Sequence, residues 1–120
     1  MAYFIDLKEF SDSRGSLCVF EKELPFPVKR LFWIYHVSDL RGGHRHKKSI
    51  QALVCLSGSC EVFVQTQTSE ERYTLNKANR VLVLAPEDWH TMDSFSDHAT
   101  LLVLASEPYD KSDYIYEAYK

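Results

Sequence analysis

Residues 41–48 read Arg-Gly-Gly-His-Arg-His-Lys-Lys and hold two of the chain's five histidines. Side chains on an extended strand return to the same face every second residue, so His44 and His46 point the same way if this stretch is a strand. Imidazole has its ordinary pKa nearest neutrality, which suits such a pair to taking a proton from one atom and returning it to another. The competing reading is a solvated basic turn, because Arg41, Arg45, Lys47 and Lys48 surround the pair and Gly42-Gly43 is a turn signal. A same-face pair running into a strongly apolar segment favours function over the turn.

Paired imidazoles also ligate metals. His44-x-His46, then Gln51 and Gly58, resembles the first motif of the cupins, in which two histidines and a glutamate hold a divalent cation. Gln51 stands at the glutamate position and is a poorer ligand for such an ion. Pro86-Glu87-Asp88-Trp89-His90 resembles the turn that brings a third histidine in that superfamily, but it lacks the glycine and is one residue short. Three histidines without an anionic ligand point to a metal-free pocket that requires no cofactor.

The elements that must position these residues are strands. LCVFE (17–21), KRLFWIYHV (29–37), IQALVCL (50–56), CEVFVQT (60–66), RVLVLA (80–85) and ATLLVLA (99–105) are short runs rich in β-branched and aromatic residues. Turn signals at Asp12–Gly15, Pro25–Pro27, Gly42-Gly43, Ser57–Ser59, Asn76–Asn79 and Pro86–Asp88 separate them. The spacing predicts an all-β, antiparallel small barrel or jelly roll, as one domain over residues 1–120. The tyrosine-rich tail, 110–120, reads as a short helix or a last strand packed on something, a partner subunit being one choice. Hydrophobic residues are 45% and charged residues 26%, with net charge −3 and a pI near 5.9, which gives no basic excess for nucleic acid. Three cysteines without paired spacing argue against a disulfide framework and suit a reduced, cytoplasmic setting. No signal peptide is recognisable, and no apolar run approaches the ~20 residues that span a bilayer.

Several blocks in order resemble one family. They are Asp12-Ser13-Arg14-Gly15-Ser16-Leu17, Pro27 with Lys29-Arg30, Arg41-Gly42-x-His44-x-His46-Lys47 with Gln51, Leu53–Leu56 with Gly58-Ser59, Trp89-His90-x-Met92-x-x-Phe95-Ser96, and Leu104-Ala105-Ser106-x-x-Tyr109-Asp110 with Asp113-Tyr114-Ile115. The chain is similar to the dTDP-4-keto-6-deoxyglucose 3,4-ketoisomerases of the cupin superfamily, from near its amino terminus to about Tyr119. The resemblance implies a cupin-type dimer without a required metal. It would move the keto group of a dTDP-linked 4-keto-6-deoxyhexose from carbon 4 to carbon 3, towards amino sugars of surface polysaccharides. It implies His44 and His46 as the proton-transfer pair, His46 the expected base and His44 its partner, with Arg41 at the substrate. A hydrogen beside a ketone is acidified because its loss gives an enolate, and Arg41 has the fixed charge to meet that oxygen. Arg14, Arg30 and Lys47 are the expected pyrophosphate cations. Gln51 and His90 complete the expected substrate contacts, and Phe32, Trp33 and Tyr35 are candidates to stack on thymine, although core packing is the stronger reading for them.

Three positions depart from the family pattern. Arg45 stands between the histidines where a small residue is usual, and it should point away from them. Tyr116 stands where arginine is common. The strand around Phe32 offers no tyrosine hydroxyl as a third acid–base group. The alternatives are a dTDP-sugar 3,5-epimerase-like enzyme, a non-catalytic sugar-nucleotide-binding cupin and a metal-dependent cupin.

Overall fold

Period-two alternation is clean in Arg30–Tyr35, where Arg30, Phe32 and Ile34 are partly buried and Leu31, Trp33 and Tyr35 are exposed. Cys60–Gln65 alternates in the same way, burying Cys60, Val62 and Val64 more deeply than their neighbours. Gln51–Cys55 is buried throughout, as expected of a strand covered on both faces. The computed structural model describes residues 1–120. Its strands are β1 (Tyr3–Asp6), β2 (Glu9–Asp12), β3 (Gly15–Cys18), β4 (Arg30–Tyr35), β5 (Arg41–His46), β6 (Gln51–Ser57), β7 (Cys60–Gln65), β8 (Glu70–Leu75), β9 (Arg80–Leu84), β10 (Trp89–Asp93), β11 (Thr100–Ala105) and β12 (Tyr114–Ile115). A 3₁₀ turn, Lys111–Asp113, precedes β12, and there is no α-helix.

The strands form two five-stranded sheets, β1-β9-β6-β11-β4 and β12-β5-β10-β7-β8, with β2-β3 as a separate hairpin. Every pairing is antiparallel. The sheets face each other across Leu53, Leu82 and Val103 on one side and Val62, Val64 and Met92 on the other. They do not close into one hydrogen-bonded barrel, so of the two expected forms the arrangement is the jelly roll. Each large apolar side chain fully buried here stabilises the fold by about 1.5–3 kcal/mol.

A second apolar cluster covers the outer face of the first sheet, where Ala52, Val54, Val81 and Val83 meet Phe20, Leu24 and Phe26. That cluster explains one correction. The strand expected over 17–21 ends at Cys18, because Phe20 leaves the hairpin to cover the sheet. Gly42-Gly43 is a second correction: it lies inside β5 instead of forming a turn. The tail takes both expected forms in sequence, a 3₁₀ turn and then a two-residue strand on the free edge of β5. It therefore packs on its own chain.

Candidate active site

The double glycine aims the histidines. In the pairing of β5 with β10, His44 opposes His90 and Gly42 opposes Thr91, so Gly43 is an extra residue and the register shifts. Such a β-bulge re-aims the side chains beside it. Gly42 has φ +85, and a Cβ there would lie 3.0 Å from the His90 carbonyl oxygen. Only glycine meets both demands. Beyond the bulge the ring centroids of His44 and His46 are 5.0 Å apart, and His90 lies 4.9 Å from His44. Tyr114 lies 4.7 Å from each member of the pair. Arg45 points away, as expected, with its guanidinium 4.8 Å from the centre of the Tyr119 ring.

Asp113 decides the state of His46. Its Oδ2 is 3.0 Å from His46 Nδ1 and accepts a 2.6 Å bond from Ser49 Oγ, while Oδ1 accepts from the Lys47 and Lys48 backbone N–H groups. Burial works against the Asp113 charge, but these donors, Ser49 foremost, hold its pKa down at about 2. An ionised carboxylate can only accept, so His46 Nδ1 carries the proton and Nε2 keeps its lone pair. That Nε2 is buried and has no hydrogen-bond partner. Burial lowers the pKa of His46, with Asp113 opposing the shift. Burial, then the charges of His90, His46 and Arg30, brings His44 down to about 3. Burial alone dominates at His90, at about 4, and the Asp88 carbonyl accepts its Nδ1–H at 3.1 Å. All three imidazoles are neutral at neutral pH.

The cavity beside them, about 220 Å³, is lined by His44, His90, Gln51, Arg41, Phe32 and Tyr114, among others. It is smaller than the ~300–1,000 Å³ typical of a whole small-molecule site, so only part of a larger ligand, such as one sugar ring, enters it. His46 lies immediately behind this wall and is 3% exposed.

The other sites expected from the sequence are distributed unevenly. Arg41 is on the cavity wall at its exposed end. Arg30 is on the inward face of β4. Lys47 is exposed and contributes its backbone N–H to Asp113, with no side-chain role at the cavity. Trp33 and Tyr35 lie on the outer face of β4, 58% and 56% exposed, because alternation sends Phe32 inward instead. Arg14 is at the tip of the β2-β3 hairpin, paired to Asp12 at 2.6 Å. A larger hollow of about 820 Å³ lies against that hairpin alone, away from the histidines. Asp113, Ser49 and Tyr114 are the site residues that spacing did not find. Asp113 is 67 positions from His46, and its only signal was the Asp113-Tyr114-Ile115 block.

These residues do not fit a divalent metal. Asp113 already occupies one nitrogen of His46, position 51 is an amide, and no cluster of three or more His, Cys, Asp or Glu side chains is placed to hold one.

A jelly roll whose cavity wall carries an imidazole, backed by a second one that a carboxylate orients, without a metal ligand set, defines a cupin-like protein suited to proton transfer. Its relatives agree. The family described as "FdtA: WxcM-like, C-terminal" matches residues 2–120, and the chain belongs to it. It is similar to the TDP-4-oxo-6-deoxy-α-D-glucose 3,4-oxoisomerase of Aneurinibacillus thermoaerophilus, 42% identical over 115 residues, which is 92% of this chain and 83% of that protein. Among solved structures it is similar to a variant of the 3,4-ketoisomerase QdtA from Thermoanaerobacterium thermosaccharolyticum in complex with TDP-4-keto-6-deoxyglucose, at 36% identity and TM-score 0.94, over 97% of this chain and 87% of that one. The TDP-quinovose 3,4-ketoisomerase WlaRB from Campylobacter jejuni matches at 37% identity and TM-score 0.92, over 97% and 92%.

Proposed function

We propose that this chain is a sugar-nucleotide 3,4-ketoisomerase acting on TDP-4-keto-6-deoxyglucose or a close relative. The observation that carries the reading is the buried, partnerless Nε2 of His46, fixed as a lone pair by Asp113. An unmet buried nitrogen costs about 1–3 kcal/mol, and an acidic C–H beside a ketone is a group that would meet it. His46 takes the proton from carbon 3, and the electron pair moves onto the carbon 4 oxygen to give an enediolate. A proton is then returned to carbon 4, and the proton of the carbon 3 hydroxyl passes to the carbon 4 oxygen as the new ketone forms. His44, next to His46 and on the cavity wall, is the shuttle. No proton is gained or lost overall.

The decisive experiment is to incubate the protein with TDP-4-keto-6-deoxyglucose in deuterated water and follow the sugar by NMR. A 3-keto isomer carrying deuterium in the ring is expected. Exchange at carbons 3 and 5 without migration of the ketone would indicate an epimerase, and binding without exchange a non-catalytic protein. Either result overturns the reading.

The working form we propose is a homodimer. β4 is an edge strand, and its outer face carries Leu31, Trp33 and Tyr35, all more than half exposed, an apolar stripe that favours a second subunit. No helix is long and apolar enough to cross a membrane. The three unpaired cysteines favour a cytoplasmic setting.

A further inference from the structure

Arg30 is half-buried without a counter-ion. No carboxylate lies within ion-pair distance of it. Its Nε is buried with no hydrogen-bond partner. The guanidinium is instead held between two rings, 5.4 Å from the centroid of Phe32 and 5.6 Å from that of Tyr109. Cation–π contacts of this kind recover less than the hydration a half-buried cation gives up. A site of this composition has room in its charge balance for an anion from outside the chain.

Register shows what surrounds such a cation. Arg30 and Gln51 both pair with Ala105, so they share one row of the first sheet, next to the Phe32–Val103–Leu53 row that lines the cavity. Arg41 is on the opposite sheet, at the exposed beginning of β5, whereas the same strand ends in buried His46. Arg41 thus lines the cavity at its exposed end, and Arg30 stands on the other sheet beside the lining residue Gln51. A nucleotide sugar entering from solvent leaves its diphosphate at the Arg41 end, and its reacting carbons reach the histidines. Arg30 is at the histidine end, against Tyr109, whose ring is 5.8 Å from that of Tyr114. Its charge acts on both members of the pair, opposing protonation of His44 and of His46.

Resting on the ketoisomerase reading, we infer that Arg30 is a catalytic residue whose guanidinium receives the negative charge of the enediolate, while Arg41 takes the diphosphate. This reverses the roles that the sequence suggested for the two arginines. The cation stays in place through the cycle, and the charge it meets appears only when the proton has left carbon 3, so its contribution belongs to the transition state.

The test compares the wild type with Arg30→Met, Arg30→Lys and Arg30→Ala, measuring kcat, KM and TDP affinity by calorimetry. Loss of one such donor should lower kcat by about 10²–10³-fold in Arg30→Met, with TDP affinity within about twofold of wild type. Guanidinium in solution should restore part of the turnover of Arg30→Ala, which a merely structural role would not allow. The acid limb of kcat/KM should also move to higher pH once the fixed charge is gone. Weakened TDP binding with kcat preserved would place Arg30 on the diphosphate and overturn the inference. If Arg30→Met does not fold, Arg30→Lys decides: unchanged kcat in a folded Lys variant, without rescue of Arg30→Ala, also overturns it. A wild-type protein that binds TDP but does not isomerise the sugar fails one step earlier, at the ketoisomerase reading itself.

Discussion

The bond between His46 and Asp113 converts a motif into a mechanism. Two histidines at this spacing tell a reader that proton transfer is available, but not which nitrogen acts. The carboxylate fixes which nitrogen of His46 keeps its lone pair, and no spacing rule joins residues 67 positions apart. Asp113→Asn keeps the shape but lets the amide present its NH₂ to Nδ1, which stabilises the wrong tautomer. We expect kcat to fall by about 10²–10⁴-fold, measured by NMR turnover, with KM little changed. His46→Asn and His44→Asn should both stop isomerisation. They differ in a second readout: the His44 variant should still exchange the carbon 3 hydrogen slowly with solvent deuterium, because the base remains, and the His46 variant should not. Equal exchange in the two would move the base away from His46.

At the scale of elements, β5 depends on its bulge. Gly42→Ala meets the His90 carbonyl at 3.0 Å in a left-handed backbone, whereas Gly43→Ala, at φ +89, has nothing within 4 Å. Both substitutions are strained, on the order of 1 kcal/mol or more. Only Gly42→Ala should also displace His44, so its loss of kcat in the same assay should far exceed that of Gly43→Ala. The sequence marked this pair as a turn because glycine is the usual punctuation between strands, and a bulge uses the same residue for the same conformational freedom. The six apolar runs were legible for the opposite reason: burial on one face forces alternation. β8 and β10 went unread because neither carries an apolar run. β8 is an exposed, charged edge, and β10 turns His90 and Met92 inward around polar neighbours. The outward placement of Trp33 and Tyr35 was unread because alternation does not say which of its two faces meets the cavity.

At the scale of the whole molecule, stability follows the histidines. In the fold His44 and His90 stay neutral down to about 3 and about 4. In the unfolded chain they take up protons around the ordinary imidazole pKa of about 6.5. Between those limits the unfolded state binds more protons, so this stability is fully present above about pH 6.5 and is lost as the pH falls. Each histidine should contribute a slope of about 1.4 kcal/mol per pH unit in that window, read by urea melts between neutral pH and pH 4. A flat profile would mean that the rings are already hydrated in the native state. The edge stripe gives a second molecular prediction: Trp33→Glu should turn a dimer into a monomer by light scattering, and a wild type that is already monomeric removes that proposal.

One consequence follows from how lightly the tail is attached. β12 adds only two residue pairs to β5, and beyond it the segment is held by the Trp89 indole on the Tyr116 carbonyl and by Gln65 and Glu87 on Tyr119. Although Asp113 anchors its start, a segment with so few pairs is expected to lift away more often than the sandwich unfolds, and each lift would withdraw the Asp113 carboxylate from the amides of Lys47 and Lys48. Those two amides are therefore built-in reporters. In hydrogen-exchange measurements they should trade their protons well before the centre of β6, and a ligand that seals the cavity under Tyr114 should slow them first.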